Sequence, residues 1–215
     1  MNIIKKIKDM NSEEKKILSQ RVQLYAGVLI IAVTLALFLR WFNTNQIAGE
    51  GIMPTPRKTI DPIAVTYCAQ DDPAWGDDLL AETGYTMAQE GSVFACLSMM
   101  LEVNEGISVT PGELNQKFLD NGLYVNGKAA NIAKLHELYP GASFSAPSDF
   151  DGQTITNQLR KGKLCMVRVK RGENVHWLTV VGSDQDTFLV YDPAKGSELQ
   201  RLEDYESVYA LGIIK

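Results

Sequence analysis

Histidine and cysteine are scarce in this chain: two of the former and three of the latter in 215 residues. Any chemistry that needs an imidazole must therefore draw on His136 or His176. Cys68, Cys96 and Cys165 allow at most one disulfide and leave at least one thiol unpaired within the chain, and nothing in the sequence selects the pair. Cys96 and Cys165 lie in apolar runs and read as plain buried residues. Positive charge is also short beyond residue 42, where 14 basic side chains face 23 acidic ones, a net charge of −9. That balance excludes a nucleic-acid binder by composition, and an acidic surface avoids anionic lipid and wall polymers. No internal repeat is visible, and no cofactor or metal is expected.

Against this ordinary composition stands one long hydrophobic run. Val22 to Leu39 holds no charged residue, and only Gln23 and Thr34 are appreciably polar. As a helix it would be about 27 Å long, close to the thickness of a bilayer's hydrocarbon core. Arg21 and Arg40 bracket it, with Trp41 and Phe42 at the interface. Residues 22–42 are therefore expected to cross the membrane. Lys5, Lys6, Lys8, Lys15, Lys16 and Arg21 precede the run, whereas Arg40, Arg57 and Lys58 are the basic residues between it and residue 60. The positive-inside bias puts a basic leader, residues 1–21, in the cytoplasm and the remainder outside the cell. No small-x-small cleavage site follows, which favours an uncleaved signal anchor. Residues 43–66, with Gly49, Gly51, Pro54, Pro56 and Pro62, read as a flexible linker, leaving 67–215 as one domain.

Within that domain the chain passes from helices to strands. Helices are expected at Asp77–Glu82, from Ser92 onward, from Thr110-Pro111-Gly112-Glu113 to about Leu119, at Ala129–Leu138 and at Thr154–Arg160. Strands are expected at Leu164–Val169, His176–Val181, Thr187–Tyr191 and Tyr209–Ile214, the middle two forming a hairpin. The order is that of an α+β fold with a mostly antiparallel sheet.

The stretch around which the domain is organised is Gly91-Ser92-Val93-Phe94-Ala95-Cys96-Leu97-Ser98-Met99-Met100-Leu101. It has no single polar stripe, so the helix is expected to be buried on most sides. A glycine and a small polar residue at its start let another chain approach its free N–H groups and the positive end of its dipole. Ser92 serves there either as a helix cap or as a site residue. His136 falls on an ordinary amphipathic pattern and is assigned a structural role. His176 starts a strand beside Trp177, and Asp192 closes the neighbouring strand, so the hairpin can bring the carboxylate to the imidazole. Gln70, in Gln70-Asp71-Asp72-Pro73-Ala74-Trp75, supplies an amide able to act as an oxyanion donor.

These stretches, with Thr110-Pro111-Gly112-Glu113-Leu114-Asn115, His176-Trp177-Leu178-Thr179-Val180-Val181-Gly182 and Asp192-Pro193, resemble in order and spacing the papain-like cysteine peptidases akin to the bacteriocin-leader (double-glycine) peptidases. The resemblance covers roughly residues 68–195 and implies a papain-like fold, with Gln70, His176 and Asp192 around the nucleophile position. At that position the family has cysteine and this chain has Ser92. A thiol ionises readily at a helix terminus beside an imidazole, whereas a hydroxyl needs general-base assistance in the transition state. Three readings follow: a pseudopeptidase that binds a peptide or protein partner in the cleft, an active peptidase whose cysteine has been replaced by serine, and a serine enzyme using Ser92, His176 and Asp192. A fourth, of another class, is a non-enzymatic subunit of a cell-envelope complex. The bacteriocin-leader enzymes work on the cytoplasmic side fused to transporters, so double-glycine cleavage is not carried over.

Overall fold

The computed structural model describes residues 11–13, 15, 19–29, 33, 50–125, 129–171 and 174–214. The expected membrane span lies largely outside these residues, as do most of the leader and residues 43–49 of the expected linker. Residues 19–29 are helical, and Val22, Leu24, Tyr25, Val28 and Leu29 expose more than half of their surface. Among the described residues no helix is long and apolar enough to cross a membrane. The chain divides into two compact units at residues 48 and 49.

The second unit is α+β. Its helices are α1 (Met87–Glu90), α2 (Ser92–Glu105), α3 (Pro111–Asp120) and α4 (Gly152–Arg160). The strands are β1 (Tyr124–Val125), β2 (Ala129–Ala130), β3 (Ala142–Ser145), β4 (Cys165–Arg171), β5 (Asn174–Ser183), β6 (Phe188–Tyr191), β7 (Gln200–Arg201) and β8 (Val208–Ile214). β1 and β2 pair with each other, and the other six form one antiparallel sheet in the order β3-β8-β4-β5-β6-β7.

Helix α2 runs through the core, with every residue from Ser92 to Leu101 buried. It is fixed at both ends by side-chain bonds to backbone in the sheet or next to it. Near its C-terminus, the Asn104 amide donates to the Leu164 carbonyl at 2.9 Å and accepts from the Leu164 N–H at 2.8 Å. At its N-terminus, the Ser92 hydroxyl accepts the Trp177 N–H at 3.2 Å. Gly106 ends the helix in the left-handed conformation at φ 66°, as C-terminal glycines do. Thr110 and Glu113 form the capping box expected of α3, and Asp151 caps α4.

Three local expectations are corrected, and one strand was not announced by the sequence. Asp77–Glu82 is not helical: it lies between Gly76 and Gly84, Leu79 bridges Thr86, and Ala81 takes a positive φ of 51°. Ala129–Leu138 is not an α-helix either. Ala129 and Ala130 pair with β1, and the amphipathic part forms the 3-10 turn Ile132–Glu137. Strand β3 carried no sequence signal, because a short Ala-Ser-Phe-Ser segment becomes a strand only by pairing with β8. Finally, the described part of the expected linker lies against the domain rather than standing off it. Ile52 bridges Val208, Ile60 bridges Ser183, and the Ile63 N–H reaches the Val181 carbonyl at 2.8 Å. A Cβ at Gly152 would fall 1.7 Å from the Thr55 carbonyl, so the segment passes too close to the start of α4 for any other residue there.

Candidate active site

The site is built where the start of α2 meets β5 and the end of β6. Gly91 makes the junction between α1 and α2, where a Cβ would lie 2.4 Å from the Met87 carbonyl oxygen. Glycine therefore allows the tight passage that delivers Ser92 to the head of the buried helix. Ser92 is 3 % exposed. Its hydroxyl oxygen is engaged by the backbone N–H of Trp177, the residue after His176. Among the described residues, no hydrogen bond joins that hydroxyl to the imidazole.

His176 and Asp192 come together as the hairpin reading expects. His176 Nε2 and Asp192 Oδ1 are 2.6 Å apart, and both side chains are almost wholly buried. The bond occupies Nε2, which leaves Nδ1 as the ring nitrogen without a protein partner among the described residues. Asp192 is held on every side. Its Oδ1 also accepts the Ala194 N–H at 2.9 Å, and its Oδ2 accepts the Tyr205 hydroxyl at 2.8 Å. The Lys195 ammonium lies 4.0 Å from Oδ2 and 4.5 Å from the centre of the Tyr205 ring. Burial alone would raise the carboxyl's pKa. The hydrogen bond and charge of His176, the Ala194 N–H and the Tyr205 hydroxyl outweigh it and hold the pKa at about 2. Asp192 is thus ionised at any physiological pH and fixed against the ring.

Gln70 lies at the same place, 3 % exposed, with its N–H bonded to the Pro193 carbonyl at 3.0 Å. Its side-chain Nε2 donates to the Ala88 carbonyl at 2.6 Å, while Oε1 is buried without a partner. A cavity of about 340 Å³ opens between Gln70 and His176. Sequence reasoning did not find Tyr205, Lys195 or the Ala194 N–H. Tyr205 follows the 3-10 turn Leu202–Asp204, and only the folding of that turn beside β6 brings its hydroxyl to Asp192.

The remaining candidates lie apart from this chemistry. His136 is exposed, with Nδ1 2.9 Å from the Ala133 carbonyl of its own turn. All three cysteines are free. Burial pushes the Cys165 thiol up to about 12, and raises the Cys96 and Cys68 thiols above their ordinary value as well. Among the described residues no cluster of histidine, cysteine and carboxylate side chains has the form of a metal site.

No protein-family model matches this chain, and no curated protein matches its sequence. Among solved structures, one described as a C39-like peptidase from Bacillus anthracis aligns with a TM-score of 0.48 and 14 % sequence identity, over 74 % of this chain and 98 % of that one.

Proposed function

We propose that residues 67–215 are a papain-like, peptidase-like domain that binds a peptide or protein segment in its cleft without hydrolysing it. The observation that carries this reading is the state of the Ser92 hydroxyl: it is buried and held by the Trp177 N–H, with no bond to the His176 imidazole. A serine nucleophile must pass its proton to a base during attack, and this arrangement supports binding over turnover. The cleft nonetheless keeps an orienting carboxylate, an imidazole and the Gln70 amide, which suit recognition of a peptide backbone.

Restoring a thiol tests the reading. Ser92→Cys should react with iodoacetamide near neutral pH about tenfold faster than Cys96 or Cys165, because the helix terminus and the Asp192-held imidazole favour the thiolate. His176→Ala in that background should slow labelling at position 92, read by peptide mass spectrometry across pH. A thiol titrating near the unperturbed value of about 8.5, indifferent to His176→Ala, would mean that the cleft is not of peptidase type.

The buried His176–Asp192 pair favours a second reading, in which Ser92 is the nucleophile of a serine peptidase. Peptide hydrolysis by the unaltered protein, abolished in Ser92→Ala, would establish it and displace the first. We further propose that the N-terminal segment anchors the domain at the outer face of the membrane, alone or as a subunit of an envelope complex. Protease added to intact cells should then digest the domain and spare the leader. Protection of the domain with loss of the leader would reverse the orientation.

A further inference from the structure

Arg168 and Lys170 stand beside the cleft without a counter-ion. Both lie on β4, and its regular pairing with β5 sets Arg168 opposite Trp177 and Lys170 opposite Val175. Residues opposed in an antiparallel pair share a face of the sheet and lie within side-chain reach. The two β5 residues belong to the site already described: the Trp177 N–H holds the Ser92 hydroxyl, and Val175 lines the cavity beside His176. The Arg168 guanidinium lies 6.0 Å from the centre of the Trp177 ring, and the Lys170 ammonium 5.0 Å from that of Tyr209. Tyr209 owes its place to a bulge. Ala210 faces Arg168 and Val208 faces Val169, which leaves Tyr209 as the extra residue of β8. The rings attract the cations but do not neutralise them. Arg168 is half-buried, its Nε is enclosed with no acceptor, and burial lowers its pKa. Among the described residues neither side chain takes part in an ion pair. A desolvated charge without a counter-ion costs free energy that an incoming anion recovers.

We propose that Arg168 and Lys170 form a subsite for an acidic side chain, aspartate or glutamate, of the peptide bound in the cleft. The carboxylate takes charge-assisted hydrogen bonds from the guanidinium, whose fork matches its geometry, and the ammonium adds a second positive charge. Its methylene stem lies against Val175, which is partly exposed on the same face. Other side chains fit less well: an amide of the same shape brings no charge, and a lysine meets two like charges. The proposal rests on the cleft being a peptide site and adds its selectivity.

The test uses the full chain in detergent micelles and fluorescein-labelled, C-terminally amidated peptides of alanine and glutamine. A single glutamate or lysine is moved along them in place of glutamine. Fluorescence anisotropy should find one position where glutamate binds about tenfold tighter than glutamine, the effect of one charge-assisted hydrogen bond at a partly screened site. Lysine should bind weakest there, and added salt should narrow the gap. Arg168→Gln with Lys170→Gln should abolish the preference. Lys117→Gln with Lys161→Gln removes the same charge from exposed positions and should preserve it. Lys170→Glu leaves the half-buried Arg168 in place and should close the gap between the glutamate and lysine peptides, a reading that stands even where the Arg168 variant fails to fold. Peptides bound regardless of charge would overturn the subsite and leave the peptide cleft standing. So would a preference that survives Arg168→Gln with Lys170→Gln, is unmoved by Lys170→Glu, or is lost equally in the exposed pair. A gain seen only when a free C-terminal carboxylate replaces the amide would also overturn it. Failure of every peptide to bind would overturn both readings.

Discussion

The two faces of the sheet are built from different material. On one face α2 and α3 pack with Met87, Phe94, Leu97, Met99, Met100, Phe118, Met166 and Trp177 in a cluster rich in unbranched and aromatic side chains. On the other, α4 and the 3-10 turn Leu202–Asp204 cover Val167, Val169, Leu178, Val180, Phe188, Val190 and Val208, most of them β-branched. Strand β4 shows the division residue by residue: Cys165, Val167 and Val169 enter the second cluster, while Met166 enters the first. The helical face needs side chains that tolerate a helix buried all round, and the strand face takes those that suit a pleat. What the comparison teaches is a division of labour. Ser92 and Asn104, at the two ends of α2, tie the helix through polar bonds to the backbone of β5 and of Leu164, the residue before β4. The second cluster holds the strands that present His176 and Asp192.

The largest effect should come from breaking the second cluster. Phe188 is fully buried there, and Phe188→Ala should cost about 3–5 kcal/mol in urea unfolding. If the faces divide as described, the folded fraction should keep the Ser92 end of α2 intact, read as an unchanged labelling rate at position 92 in the Ser92→Cys background. A large change in that rate would show that the faces are not separable.

A smaller effect concerns the carboxylate at the junction. The folded pKa of Asp192, about 2, lies below its ordinary value of 3.8. The unfolded state therefore binds the proton more readily, and stability present above about pH 4 is lost as pH falls toward 2. The contribution is on the order of 2 kcal/mol. Urea midpoints measured between pH 7 and 2 should fall across that window, and Asp192→Asn should flatten the fall. An equal slope in the variant would mean that other carboxylates carry the acid sensitivity.

The smallest effect is Tyr205→Phe, which removes one of the hydrogen bonds to the ionised Asp192 and should cost on the order of 1 kcal/mol, because water can replace the hydroxyl at this half-buried position. Its signature is a shift of the acid transition to higher pH, since one of the bonds that holds the carboxyl down is gone. A loss of stability without that shift would make Tyr205 a packing residue and nothing more.

Much of this arrangement was legible along the chain. The apolar run from Val93 announces a buried helix because no polar stripe interrupts it, and α2 is buried from Ser92 to Leu101. The alternating and β-branched stretches announce β4, β5, β6 and β8, although their ends extend beyond the apolar residues that signal them. The meeting of His176 with Asp192 follows from hairpin spacing, since two strands joined by a short turn bring their far ends together. Local pattern misled where it was short. At 77–82 and 129–138 helical periodicity competed with turn geometry and strand pairing, and lost.

By itself, then, the sequence determined the buried helix, the antiparallel hairpin and the residues able to carry chemistry, because periodicity and turn chemistry act over a few neighbouring residues. Tertiary structure alone decided what those residues touch. The Ser92 hydroxyl meets a backbone N–H rather than the imidazole, Tyr205 reaches Asp192, and Gln70 is left with a buried, unpaired acceptor. It also laid residues 52–63 along the sheet, although their glycines and prolines read as a tether. The physical reason is the same in each case. These contacts join segments far apart in the chain, and only the packing of α2 against the sheet fixes which polar groups must find partners in the space that remains.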